Sequence, residues 1–148
     1  MNSDFRTGRH VVYDLHAHIV LTTKYRKEVF TERVEKVIIE KAKECCKRNE
    51  SELLEAKSDK NHMHLLVSYP PKKSLSSLIA AIKSTTSKYV REQGFPEVEK
   101  ALWGKHFWSP SYCVVSTGGA PLEVVKKYIE NQGKEPRGRG RRKSSMRD

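Results

Sequence analysis

The sequence predicts a single α+β domain whose strands and helices follow the order β-α-β-β-α-β. Residues 11–22 and 60–69 alternate polar and apolar side chains with a period of two, which is typical of strands with one buried face. Apolar residues recur at helical spacing after Thr31 and again after Ser74. A chain of 148 residues is long enough for one hydrophobic core.

The first half of the chain supplies a strand, a helix and a second strand. The stretch "VVYDLHAHIVLT", residues 11–22, reads as one strand with His16 and His18 on its polar side. Thr31 is a suitable N-cap for the first helix, whose apolar positions are Val34, Val37, Ile38 and Cys45. The stretch 51–58, "SELLEAKS", predicts a weaker strand because its polar and apolar residues are mixed.

The third strand, "KNHMHLLVSY", places His62 and His64 on one side and an apolar set on the other. That apolar set consists of Met63, Leu65, Val67 and Tyr69. Ser74 can cap the second helix, whose predicted buried stripe consists of Leu75, Leu78, Ile79, Ile82 and Tyr89.

The last two elements are a strand over residues 105–116 and a C-terminal helix from Pro121 to Gly133. Pro110 lies inside the strand and indicates an edge position or a bulge, because proline cannot donate to a sheet ladder. Pro121 suits the first turn of a helix.

This order predicts a ferredoxin-like antiparallel sheet with two helices on one face, followed by the C-terminal helix. In that topology the first and third strands are central neighbours, and their apolar faces both meet the helices. The opposite face is therefore expected to collect four imidazoles, from His16, His18, His62 and His64.

The charge of the chain favours a polyanionic partner. The net charge of +11 is typical of nucleic-acid-binding proteins, although a basic protein can also be merely soluble. Residues 134–148 are rich in arginine and lack large aliphatic side chains except Met146, so we expect a domain over 1–133 and a disordered basic tail over 134–148. The tail either contacts phosphates or only improves solubility.

Other features exclude several classes of protein. Cys45 and Cys46 are adjacent and Cys113 stands alone, which argues against a disulfide framework. We find no secretion-type apolar run, no bilayer-spanning stretch and no phosphate-binding glycine loop, so we expect a cytoplasmic protein with no membrane and no nucleotide cofactor.

Two groups of residues could support metal-dependent chemistry. His62 and His64 project the same way and can share a divalent ion, although such pairs are more often unliganded. Tyr128 and Gln132 lie one turn apart on the last helix, where the amide oxygen suits Mg or Mn and the phenol is a possible nucleophile. The alternative is that Tyr128 packs beside the apolar stripe of its helix, which consists of Leu122, Val125 and Ile129.

Four stretches together resemble one family: "TKYRKEVF", "NHMHLL", "LWGKHFWSPSYCV" and "KYIENQ". They are similar, in order and spacing from Tyr13 to Gln132, to the single-tyrosine transposases of the HUH (His-hydrophobic-His) superfamily. These enzymes are encoded by insertion sequences that move as single-stranded DNA. Asn61 departs from the pattern, because many relatives have Asp before the first histidine.

The resemblance implies a catalytic centre. His62, His64 and Gln132 would hold Mg or Mn, and Tyr128 would attack DNA to form a 5′-phosphotyrosine link. His16 and His18 would either support the metal-binding imidazoles or face the DNA, and Asn61 would help to orient His62. Family members are usually homodimers whose sites are completed in trans, for which Gly118 and Gly119 would form a hinge; a site completed in cis stays open.

The resemblance also implies a DNA partner, namely single-stranded DNA with hairpin ends. The candidate phosphate contacts are Lys24, Arg26, Lys83, Lys88, Lys105, Arg139, Arg141 and Arg142. Trp103, Trp108 and Tyr112 either stack on unpaired bases or, for the tryptophans, belong to the core.

Two other functions remain open. A non-catalytic single-stranded nucleic-acid binder can use the same sheet topology, but it would carry aromatic residues where this chain has His62 and His64. A domesticated relative that binds chromosomal palindromes would keep the same chemistry residues, so the sequence does not separate it from an active transposase.

Overall fold

The computed structural model describes residues 5–102, 106–117 and 122–132. Its main sheet is antiparallel and has four strands in the order β4-β5-β3-β6. The strands are β3 (His16–Thr23), β4 (Glu52–Asp59), β5 (His62–Ser68) and β6 (Trp108–Ser116). The predicted ferredoxin-like topology is confirmed, with β3 and β5 as central neighbours.

Two long helices cover one face of this sheet: α1 (Glu32–Arg48) and α2 (Leu75–Glu92). Both predicted caps are confirmed, because the Thr31 side chain accepts from the amide of Val34 and the Ser74 side chain from the amide of Ser77. The helices bury alternate residues of β3 and β5, and those residues form the core: Ala17, Ile19, Leu21, Met63, Leu65 and Val67.

The buried stripe of α2 differs from the predicted one at both ends, and at the N-terminal end Leu75 is half-buried. Thr86 and Val90 are buried, whereas Tyr89 is half-buried. The helical repeat continues from Ile82 in steps of four and so places Tyr89 beside the stripe. The amine of Lys41 lies 4.4 Å from the centre of the Tyr89 ring.

The single strand predicted over residues 11–22 is wrong at its N-terminal end. Strand pairing divides the predicted segment in two, because β1 (Arg6–Gly8) and β2 (Val11–Tyr13) form a separate two-stranded sheet. The break falls at Asp14, whose carboxylate lies 3.1 Å from Nδ1 of His16. A strand period alone cannot reveal such a change of partner.

Two short helical segments were also not predicted. A 3₁₀ turn, Lys24–Arg26, follows β3, and α3 (Pro96–Ala101) follows Gly94. Gly94 has a φ of +69°, which favours glycine, and Pro96 begins α3 where its missing amide hydrogen is not needed.

The prediction of an edge strand around Pro110 is confirmed. β6 lies at the edge of the sheet, and its register against β3 shifts between the pairs Leu21–Tyr112 and Thr23–Trp108. One residue of β3 therefore faces three of β6, and Pro110 lies in that irregular stretch.

The last helix, α4 (Leu122–Glu130), lies on the other face of the sheet, over β4 and β5. Ile129 and Leu66 are both fully buried there. We call this side, which carries His18 and His64, the histidine face.

Several predictions fall outside the described residues. They concern Lys105, Arg139, Arg141, Arg142, Trp103, Gly118, Gly119 and the tail 134–148. Among the helices within the described ranges, none combines the length and apolarity needed to cross a bilayer.

Candidate active site

Three imidazoles form a chain along the histidine face. Nε2 of His18 lies 3.0 Å from Nδ1 of His64, within hydrogen-bonding distance. The ring centres of His64 and His62 are 6.4 Å apart. The antiparallel register pairs His64 with Val20 and His18 with Leu66, so the two rings meet on the diagonal of the ladder.

His16, the fourth predicted imidazole, occupies the far end of β3. It pairs with Ser68 in the sheet register, two residues from His18, and contacts Asp14. His16 therefore lies on the histidine face, as the side-chain alternation predicts. Its ring, however, contacts Asp14.

Burial keeps the central imidazoles neutral near neutral pH. His64 is 9% exposed, and this burial, together with the neighbouring His18 and His62, lowers its pKa to about 4. Burial also lowers the pKa of His18. Neutral imidazole is the form that binds metal ions, because protonation occupies the lone pair.

Tyr128 projects from α4 beside this chain of rings. Its ring centre lies 6.0 Å from that of His18, at an interplanar angle of 76°. The side chain is 58% exposed, whereas Ile129, the next residue, is fully buried. Ile129 thus holds the helix to the sheet, and the phenol remains accessible at the edge of the contact.

Gln132 lies one turn beyond Tyr128. Its side-chain nitrogen donates to the Tyr128 carbonyl oxygen at 3.3 Å, and among the described residues no protein group donates to its amide oxygen. Within these same ranges no three side chains of the His, Cys, Asp or Glu types converge into a metal-binding group.

The candidate ligands are the neutral imidazole of His64, the imidazole of His62 and the amide oxygen of Gln132. This mixture suits a divalent ion that takes nitrogen and oxygen ligands, such as Mn, and is compatible with Mg completed by water or phosphate oxygens. By their chemistry, these three residue types fit the Mg or Mn that the sequence analysis expected.

Two side chains near the imidazoles escaped the sequence analysis. In the sheet register Lys57 of β4 pairs with His64, and Asp59 pairs with His62, so both lie on the histidine face. The mixed pattern of residues 51–58 predicted the strand but not its pairing, and the pairing is what brings these charges beside the imidazoles.

Asn61 forms one hydrogen bond with the end of β3 and one with the turn that follows it. The Asn61 side-chain nitrogen donates to the Arg26 carbonyl oxygen at 3.3 Å, and its own carbonyl oxygen accepts from the amide of Thr23. Asn61 thus secures the chain immediately before the first ligand candidate, His62.

Comparison with known proteins decides the family. The sequence model described as "Transposase IS200 like" matches residues 11–132, which include all three imidazoles, Tyr128 and Gln132. The chain belongs to the IS200-like transposase family.

Related transposases match along most of their length. The ISDra2 transposase TnpA of Deinococcus radiodurans is 27% identical over 129 residues, 87% of this chain and 91% of that protein. The transposase for insertion sequence element IS200 of Salmonella typhimurium is 28% identical over 132 residues, 89% of this chain and 86% of that protein.

One solved structure supports the same assignment, and another shares the fold. A crystal structure of a putative transposase from Deinococcus radiodurans superposes with a TM-score of 0.68 at 28% identity, covering 86% of this chain and 97% of that one. A REP-associated tyrosine transposase bound to a REP hairpin gives a TM-score of 0.53 at 12% identity, covering 84% and 68%. The second likeness concerns the fold alone.

In this IS200-like transposase, three of the predicted phosphate contacts meet at one groove. Lys24, Lys83 and Lys88 all line a groove of about 760 Å³ between α2 and β6. The amine of Lys83 is already engaged, because it donates to the carbonyl oxygens of Ser109 at 2.8 Å and Pro110 at 3.1 Å. Burial lowers the pKa of this amine.

The aromatic candidates divide between core and surface. Trp108 is buried, and its indole nitrogen donates to the Thr86 hydroxyl at 2.9 Å, so it belongs to the core. Tyr112 is 40% exposed, with the Lys83 amine 5.5 Å from its ring centre.

Proposed function

We propose that this IS200-like transposase cleaves and rejoins single-stranded DNA at hairpin ends through a 5′-phosphotyrosine intermediate. One observation carries the proposal: the accessible phenol of Tyr128 stands 6.0 Å from the ring of His18, which in turn contacts His64. Tyr128, the proposed nucleophile, thus lies on the same surface as the possible metal-binding pair, His62 and His64.

The reaction exchanges one phosphodiester for another. The Tyr128 oxygen attacks the phosphorus and forms a bond to the 5′ phosphate. The bond between that phosphorus and the 3′ oxygen of the preceding nucleotide breaks. The phenol proton passes to solvent, and the departing oxygen takes up a proton as a 3′-hydroxyl. A later 3′-hydroxyl reverses these bonds and joins the strands, so no nucleotide cofactor is required.

His62, His64 and Gln132 would hold the Mg or Mn ion. Such an ion stabilises the negative charge that develops on the phosphate during attack. His18 would position His64: when Nδ1–H of His64 donates to Nε2 of His18, the other nitrogen of His64 keeps its lone pair for the metal. Asn61 would support His62 by securing the chain before it.

We further propose a cytoplasmic homodimer that binds DNA hairpins and in which each tyrosine helix completes the partner's site. The net charge of +11 and the hairpin held by the REP-associated relative both accord with a DNA partner. The basic tail over 134–148, next to a domain over 1–133, would add phosphate contacts. A single chain already seats α4 on its own sheet, so a site completed in cis is the competing arrangement.

The decisive experiment is detection of a covalent adduct on denaturing gels. Tyr128→Phe should abolish the adduct with a single-stranded end oligonucleotide and leave hairpin binding nearly unchanged, because only the attacking oxygen is lost. Tyr89→Phe is the matched control, since it removes a phenol oxygen from α2, on the other face of the sheet. An adduct formed by the Tyr128 variant would refute the nucleophile.

The ligand assignment has its own test. His64→Ala should abolish cleavage dependent on Mg or Mn and should also abolish Mn binding measured by calorimetry. His16→Ala, with its ring beside Asp14, should leave both unchanged. Undiminished cleavage in the presence of a chelator would point to chemistry without a metal. If the wild-type protein binds the hairpin but forms no adduct, the non-catalytic hairpin binder or a domesticated relative is favoured.

A further inference from the structure

Lys57 lies directly across the ladder from His64 on the histidine face. The sheet register pairs Lys57 of β4 with His64 of β5, and His64 with Val20 of β3. Directly paired residues of an antiparallel ladder point to the same face, with Cβ atoms about 5 Å apart. The Lys57 side chain therefore starts beside the most buried imidazole of the site.

Lys57 is also the only lysine or arginine in the four strands of the main sheet, all of which fall within the described residues. Its side chain is half-buried, and in the described part of the chain its amine forms neither an ion pair nor a hydrogen bond. Glu55 and Asp59, its neighbours on the same face of β4, do not pair with it. An unpaired, half-buried ammonium is complementary to an anionic ligand.

The tyrosine helix lies over the neighbouring row of the sheet, which consists of Glu55, Leu66 and His18. Burial and the nearby Glu130 carboxylate of α4 raise the pKa of Glu55, so the last turn of the helix lies close to this end of the row. Glu55 is thus engaged by the helix, whereas Lys57, one row along β4, is left for a ligand.

Lys57 and Tyr128 flank His64 from opposite sides of β5. The Tyr128 ring lies beside His18 of β3, whose Nε2 is 3.0 Å from Nδ1 of His64, whereas Lys57 belongs to β4. Two strand spacings, about 10 Å, separate β3 from β4, which leaves room for a phosphate between the two side chains. In phosphoryl transfer the attacking and departing oxygens lie roughly in line on opposite sides of the phosphorus. A phosphate attacked from the β3 side therefore expels its 3′ oxygen toward β4.

We propose that Lys57 is a catalytic residue whose ammonium donates a hydrogen bond to the departing 3′ oxygen. The electron pair of the phosphorus–oxygen bond passes to that oxygen, Lys57 stabilises the resulting negative charge, and water supplies the proton that completes the 3′-hydroxyl. The ammonium keeps its own protons. In the joining step the same ammonium lies beside the attacking 3′ oxygen. The proposal rests on the proposed function and adds to it a residue on the side of the leaving group.

The test compares two single-stranded end oligonucleotides in single-turnover adduct formation with Mn. One has the ordinary scissile linkage, and the other has sulfur in place of its bridging 3′ oxygen. Lys57→Met removes the charge, keeps the length of the side chain and should slow the reaction of the ordinary linkage about a hundredfold. On the sulfur linkage the difference from wild type should largely disappear, because a thiol has a pKa near about 8.5 and departs as thiolate without such help.

Two further variants separate charge from structure. Lys57→Arg keeps the positive charge and should react faster than Lys57→Met on the ordinary linkage. Lys36→Met removes an exposed lysine from α1, on the other face of the sheet, and should leave both rates unchanged. Calorimetric binding of Mn should be the same in Lys57→Met and wild type, since Lys57 is not a ligand.

Several results would overturn the role of Lys57. They are equal losses of rate on the two linkages, no loss on either, or a loss confined to oligonucleotide affinity with an unchanged rate at saturation. Any of these, with an adduct from the wild-type protein, would reject the catalytic lysine and leave the proposed function standing. No adduct from the wild-type protein would reject the proposed function, and the role of Lys57 with it.

Discussion

Ile129 should control how often the tyrosine helix is in its reactive position. This side chain is fully buried where α4 meets the sheet, and an Ile→Ala change at such a site costs about 2–5 kcal/mol. A nine-residue helix is not stable alone, so the lost free energy weakens the docking of α4 on the sheet. At about 1.4 kcal/mol per tenfold change, the docked-to-undocked ratio falls about thirtyfold to several-thousandfold.

The assay is the single-turnover rate of adduct formation at saturating oligonucleotide. On the proposed function only molecules with a docked α4 react, so the rate follows the docked fraction, and we expect a loss of about tenfold or more for Ile129→Ala. Ile129→Val removes one methylene and should cost about 0.5–1.5 kcal/mol, which gives an intermediate rate.

Val124→Ala provides the control on the same helix. Val124 is 60% exposed, so its truncation should alter stability by no more than about 0.5 kcal/mol and leave the rate unchanged. Wild-type rates from both Ile129 variants would show that the reactivity of Tyr128 does not depend on a docked α4, and the reasoning from burial would be refuted.

Three further results are expected. Mixing Tyr128→Phe with His64→Ala protein should restore adduct formation if sites are completed in trans, whereas a persistently inactive mixture would establish a cis site. Thr86→Val should lower the free energy of unfolding by about 1–3 kcal/mol because it removes the acceptor of the buried Trp108 indole. Thr86→Ser keeps a hydroxyl and should retain most of that stability. Equal melting temperatures of the wild type and Thr86→Val would show that the hydrogen bond is dispensable. Deleting residues 133–148 should flatten the salt dependence of DNA binding if the tail contacts phosphate, and an unchanged slope would make it a passive tail.

Local patterns predicted the elements well where one face is buried. The alternation in "NHMHLLVSY" placed Met63, Leu65 and Val67 in the core and both histidines opposite, as the structure has them. Thr31 and Ser74 marked both helix starts because a cap depends on neighbouring amides only. The N-terminal strand was misjudged because Val11–Tyr13 pair with β1 across a two-residue turn and form a hairpin apart from the main sheet.

The sequence by itself determined which face of each strand the histidines occupy, since side-chain alternation is a local property of the backbone. Only the tertiary structure decided their neighbours. The diagonal contact of His18 with His64, the seat of Tyr128 beside them, and the meeting of Lys88 and Arg91 with β6 across a groove all depend on sheet register and helix docking. Those are settled by the burial of residues far apart in the chain, such as Ile129 and Leu66, and no local pattern encodes them.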